Sequence, residues 1–280
     1  EEAALIKGDL APDPVTAIDL FAGALLPGLM LVVMFIIFIY FYARIFPNSC
    51  PPIQTDKSRN EIYKEAFKSI FPPLILIVLV LGSILMGVAT PTESASVGAI
   101  GAAVIAFTKG ELTFQNIKEV SLNTVKLSSF VFVILIGASM FSLVFRGFNG
   151  DAMIEHFLGG LPGGLFTALL IVMVAIFILG FFLDYIEIIF VIVPLVGPIL
   201  IANGADPLWL GILISLNLQT SFLTPPFGFS LFFLRGVAPK EIQTRNIYRG
   251  VIPFIGIQVL AIIIVGFFPS IATWLPNLMF

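Results

Sequence analysis

Asn217-Leu218-Gln219-Thr220-Ser221-Phe222-Leu223-Thr224-Pro225-Pro226-Phe227-Gly228-Phe229-Ser230 lies inside an apolar run from Leu208 to Leu234. Two adjacent prolines lack backbone donors, and each ring clashes with the carbonyl four residues back. Thr224 precedes a proline and is pushed out of helical conformation, and Gly228 frees the turn that follows. A helix long enough to span a bilayer is therefore expected to break near its middle. Freed backbone groups at that depth survive only inside protein or beside a water-filled cavity. Asn217, Gln219, Thr220, Ser221 and Thr224 cluster at the break. Half-helix ends with hydroxyl and carbonyl oxygens are the ion and substrate sites of secondary carriers.

The composition sets the frame. Of 280 residues, 59% are hydrophobic and 11% charged, against about 25% charged in soluble domains. The chain is read as an all-α polytopic membrane protein in a lipid bilayer. Lys and Arg are absent from the long apolar runs, so no basic face for nucleic acid exists. Cys50 and His156 are the sole residues of their types. They exclude an intrachain disulfide, a Cys/His metal site and a serine triad.

Taken in order, Ile18 to Tyr42 reads as a spanning helix. Arg59 to Lys68 reads as an amphipathic surface helix. A second span runs from Ile70 to Ala89, after a kink at Pro72-Pro73. Thr90 or Thr92 caps the next helix with Glu93 in its first turn. Ser94 to Phe107 is lined by Ala, Gly and Ser, and is expected to be buried among other helices. Lys109 to Lys126 is polar, and Leu127 to Phe145 spans again. Arg146 to Gly164 is a Gly-rich connection. Val251 to Trp274 is a last span, with Trp274 an interfacial anchor. Twelve of the 14 Lys and Arg residues fall on one side if the N-terminus lies outside, which orients the chain.

Leu165 to Leu183 and Ile188 to Ile201 are apolar arms joined through Gly180, Asp184 and Glu187. Two ordinary spans fit, and so does a re-entrant hairpin. The acidic, Lys- and Arg-free joint and the interruptions at Pro194, Gly197 and Pro198 favour the hairpin. Carboxylates in apolar surroundings mark ion paths, so Asp184 and Glu187 are candidates for a gate. Asp184 as a plain helix cap is the structural alternative. Thr220, Thr224 and the carbonyls around them offer neutral hard oxygens, suited to a monovalent cation. The expected layout is residues 1–69 as first span and surface helix, and 70–126 as scaffold. Residues 127–249 form a transport repeat with hairpin 165–201 and broken helix 208–234, and 250–280 a final span.

Gly87 to Ala99 (G-V-A-T-P-T-E-S-A-S-V-G-A), Gly180 to Ile189 (G-F-F-L-D-Y-I-E-I-I) and Leu223 to Gly228 (L-T-P-P-F-G) resemble the large membrane subunit of TRAP transporters, the tripartite ATP-independent periplasmic transporters. Asp19 to Gly28 resembles a mid-chain helix of that family. The resemblance implies an elevator-type, sodium-coupled secondary carrier in the bacterial inner membrane, with no enzymatic activity and no cofactor beyond the coupling ion. It implies a small membrane subunit and a periplasmic solute-binding protein as partners, and an organic acid as substrate. It places sodium at Gly180, Thr220 and Thr224, with Pro225 and Gly228 shaping the break and Asn217 beside it. The family's first repeat has no counterpart here. Glu1-Glu2-Ala3-Ala4 reads as mid-loop, so the expectation is a C-terminal part of the subunit carrying its second repeat. A non-transporting membrane scaffold is the rival from another class, and an intramembrane enzyme is weaker still, since no motif pairs a nucleophile with a base.

Overall fold

Apolar runs interrupted by helix caps and prolines produce helices and nothing else among the described residues. The computed structural model describes residues 14–51, 58–225, 228–239 and 242–279. The polar stretch 1–13, and Pro226 and Phe227 of the break, lie outside them. The helices are α1 (Ala17–Ile45), α2 (Arg59–Leu85), α3 (Pro91–Thr108), α4 (Phe114–Gly147), α5 (Gly150–Gly159), α6 (Gly164–Leu179), α7 (Tyr185–Ala202), α8 (Pro207–Leu223), α9 (Phe229–Val237), α10 (Thr244–Phe267) and α11 (Ser270–Met279). Five of them, α1, α2, α4, α7 and α10, are long and apolar enough to cross a membrane. Helices α6 and α8 are shorter apolar rods of 16 and 17 residues, about 24–26 Å at 1.5 Å per residue.

Several boundaries differ from the sequence reading. Pro72 and Pro73 stand inside one continuous helix, so the amphipathic segment and the span are a single rod. The two missing donors cost hydrogen bonds to the carbonyls of Lys68 and Ser69 without ending it. Likewise 114–147 is one helix, because no proline or cap stands between its polar and apolar halves. The Gly-rich connection contains α5. The last span ends at Phe267, before Pro269, and Trp274 sits on the separate α11.

Contacts divide the chain into Glu1–Phe35 with Ser129–Phe280, and Ile36–Ser128. In the latter, α2 and α3 form a helical pair. Ser58 with Glu61, and Thr90 with Glu93, make reciprocal capping boxes at their starts. Ser83 and Ser94 hydroxyls meet at 2.8 Å. A methyl at Gly98 would stand 3.3 Å from Val80 Cγ2, and Gly101 is pressed against Leu76. The small face of α3 thus serves one neighbour. It is not enclosed as expected: Ser94 is its buried residue, and Val97, Ile100, Val104 and Phe107 are exposed.

The other unit is organised around α8. Leu208, Trp209, Leu210, Ile212, Leu213, Ile214, Leu216 and Leu218 are all buried, and only the stripe through Pro207, Gly211, Ser215 and Gln219 is less covered. A helix buried over most of its circumference belongs inside a bundle. Its neighbours include α6, α9, α10 and α11, and Trp209 Nε1 donates to the Val265 carbonyl of α10 at 2.8 Å.

Candidate functional site

Helix α8 begins where Asp206 Oδ1 accepts from the Trp209 N–H at 2.8 Å and Pro207 occupies the first turn. That is the cap chemistry the sequence requires. It ends at Thr224, whose φ −95° and ψ 126° are extended, as a residue before proline demands. The chain resumes as α9 after Gly228 at φ 43°, a left-handed conformation that glycine adopts without penalty. The helix is broken, as expected. A methyl at Gly228 would stand 3.4 Å from the Thr224 carbonyl oxygen and 2.9 Å from Leu231 Cδ1, so Gly228 lies close to the end of α8.

Four polar side chains at this end donate to backbone carbonyls. Thr220 Oγ1 donates to the Leu216 carbonyl at 2.8 Å, Ser221 Oγ to Leu218 at 2.8 Å, and Thr224 Oγ1 to Thr220 at 2.9 Å. Asn217 Nδ2 donates across to the Met173 carbonyl of α6 at 2.7 Å. A hydroxyl has one hydrogen and two lone pairs. Three hydroxyls that give their hydrogen to their own helix present only lone pairs outward. Thr220 and Ser221 are fully buried, so these lone pairs sit in a medium where electrostatic interactions are strong.

The joint between α6 and α7 packs against the same end. Gly180, buried, ends α6 with its N–H on the Ile176 carbonyl at 2.8 Å. Its α-carbon is pressed against the Ser221 side chain, whose oxygen fills the space a Cβ would take. The Tyr185 and Phe222 rings meet edge-on, centroids 5.8 Å apart. Asp184 Oδ1 accepts from the Tyr185 N–H at 2.7 Å, which is the capping alternative. Glu187 stands half-buried one turn on. Residues Ile188–Ile192 then form a π-turn, closed by the Val193 N–H on the Ile188 carbonyl. Pro194 follows immediately and cannot supply the next α-type donor.

The C-terminal ends of α6 and α8 therefore converge at Gly180 and Ser221. Each helix end carries roughly half a negative charge. Residues 147–234 contain no Lys or Arg, so no basic side chain of this segment offsets them. The arrangement favours a small cation. The structure gathers Gly180, Thr220 and Thr224 at one end of the unit, with Pro225 half-buried and Gly228 completing the break. Asn217 lies one turn back, turned toward α6. Ser221 joins these residues through its contact with Gly180, and Gln258 of α10 is a buried polar residue that sequence reasoning misses. Ser221 is visible beside Thr220, and Gln258 is the one amide in the run Val251–Phe267.

Residues 13–271 match the family model described as tripartite ATP-independent periplasmic transporter, DctM component. The chain is 31% identical to the C4-dicarboxylate TRAP transporter large permease protein DctM of Vibrio cholerae, over 93% of this chain and 61% of that protein. It is 29% identical to the sialic acid TRAP transporter large permease protein SiaM of the same species, over 92% and 60%. It is 30% identical to the ectoine TRAP transporter large permease protein TeaC of Halomonas elongata, over 94% and 60%. The chain spans 59–61% of the length of these and the similar Pseudomonas aeruginosa relative.

Proposed function

Because this chain belongs to the DctM component family of the tripartite ATP-independent periplasmic transporters, we propose that it supplies the sodium-binding half of an organic-acid carrier. It is an inner-membrane transporter component and not an enzyme. In this reading, a periplasmic binding protein delivers the acid and a small membrane subunit completes the machine. The hairpin 165–201 and broken helix 208–234 form the moving part of an elevator. Sodium lies between the Gly180 joint and the break, held by backbone oxygens with Thr220 and Thr224. Asp184 caps and fixes the joint, and Glu187 stands at its gate.

The observation that carries the reading is the meeting of two helix C-termini, Leu179-Gly180 and Ser221–Thr224, beside donor-spent hydroxyls and without a basic side chain between residues 147 and 234. Lone pairs and carbonyl ends in an apolar core call for a positive charge, and neutral oxygens suit one that must also leave. The test is solute uptake by the assembled transporter, with sodium replaced by choline. Uptake is expected to require sodium, and Thr224→Ala to raise the sodium concentration needed. Uptake indifferent to sodium, with Thr224→Ala silent, rejects the reading.

A further inference from the structure

Gln258 is 2% exposed, and both Nε2 and Oε1 are buried without a hydrogen-bond partner among the described residues. A buried polar group left unpaired costs about 1–3 kcal/mol, and lipid surroundings offer no water to relieve it. The residue is not stranded at random. Along α10 the buried stripe is Ile247, Val251, Gln258, Ala261 and Val265, and Val265 accepts from Trp209 of α8. At the other end, Leu223 of α8 packs on the cluster of Val251 and Ile247. The two helices therefore run antiparallel with this stripe against α8. Gln258 lies seven residues from both Val251 and Val265, roughly 10 Å each way at 1.5 Å per residue. Seven residues on from Trp209, α8 reaches Leu216. The amide thus stands level with Leu216, one turn before Thr220, where the donor-spent hydroxyls begin.

The geometry points to Gln258 as a further ligand residue for the cation at the broken helix, contributed by α10 through its carboxamide oxygen. The inference rests on the cation reading of that region. Oε1 is a neutral hard oxygen like the others there. A ligand contributed by α10 also ties the break to that helix, so that loading the site tightens the packing of the whole unit.

The test uses the full chain in detergent, with its thermal unfolding midpoint followed as sodium chloride replaces choline chloride at constant ionic strength. The wild-type midpoint is expected to rise with sodium. Gln258→Leu and Gln258→Met are expected to be as stable as wild type in choline, since they remove an unpaired amide. They should shift the half-effective sodium concentration upward about tenfold, equivalent to roughly 1.4 kcal/mol, while Gln258→Glu, which keeps an oxygen, retains the response. A wild-type sodium response in both apolar variants, with that response lost in Thr224→Val, overturns the role of Gln258 and leaves the reading of the break standing. Destabilisation equal in sodium and choline assigns Gln258 a packing role and overturns the inference. A wild-type midpoint indifferent to sodium overturns both.

Discussion

Gly180 and Ser221 share one van der Waals space: a methyl added at Gly180 would stand 2.7 Å from Ser221 Cβ. Gly180 itself is at φ −65°, so glycine is required here by proximity and not by backbone conformation. Overpacking such a contact typically costs about 1–3 kcal/mol. Gly180→Ala is expected to lower stability by that amount. Ser221→Ala in the same chain should not rescue it, because the Cβ stays; Ser221→Gly should. Denaturant unfolding of the single and double variants measures this, and equal stability of all of them would contradict the contact.

Asn217 ties α8 to α6 through the Met173 carbonyl. Interhelical hydrogen bonds of this kind contribute about 0.6 kcal/mol, with values to about 1.7 kcal/mol. Asn217→Leu keeps the branched shape and is expected to lose at least that amount. The same substitution in a Gly180→Ala background should cost less than the sum, if both act on the seating of α6 against α8. A double-mutant cycle reads the coupling.

Trp209 places its indole N–H on the Val265 carbonyl at 2.8 Å from a buried position. Trp209→Phe retains an aromatic body and removes the donor. The expected loss is about 1 kcal/mol, the usual net worth of one such bond. Trp209→Ala should cost roughly 3–5 kcal/mol through the cavity it leaves. Similar losses for both variants would mean that the bond carries the whole effect.

At the start of α3 the Thr90 N–H donates to Glu93 at 2.8 Å, and the Thr90 hydroxyl at 2.9 Å. The backbone bond first, and the hydroxyl second, hold the Glu93 carboxyl below its ordinary value of 4.5. A depressed native value stabilises the fold above the unfolded value, and the gain is lost as pH falls through the native one. Unfolding midpoints from pH 7 to 3 should therefore fall further in wild type than in Glu93→Gln, with the difference opening below about pH 4.5. Parallel curves would show that the box carries no charge-dependent stability.

The break and the joint were legible because proline and glycine act locally. Thr224 had to be extended before Pro225, and Asp184 could cap whatever followed it. The capping pair Thr90 and Glu93 was legible for the same reason. The extent of the rods was not. Nothing in Phe114–Lys126 ends a helix, and Pro72-Pro73 only thins the ladder of one, so a shift in polarity there is not a boundary. Tertiary proximity was equally hidden. The sequence places a glycine at 180 and a serine at 221 without saying that one occupies the other's side-chain volume. It places Gln258 in an apolar run without saying that the run faces α8.

The π-turn at Ile188–Ile192 gives α7 a rotational phase that its length alone does not. One extra residue in a turn advances everything beyond it by about 100° relative to an unbroken α-helix. The faces that Leu195, Gly197, Ile199 and Leu200 bury are thus indexed to Gly180 through that single insertion. Deleting one residue from 188–192 would leave a smooth helix of nearly the same length. It would turn the distal arm's contact face away from its neighbours whenever the joint is seated on Ser221. The irregular turn is therefore the clocking element that lets both ends of the arm be in register at once.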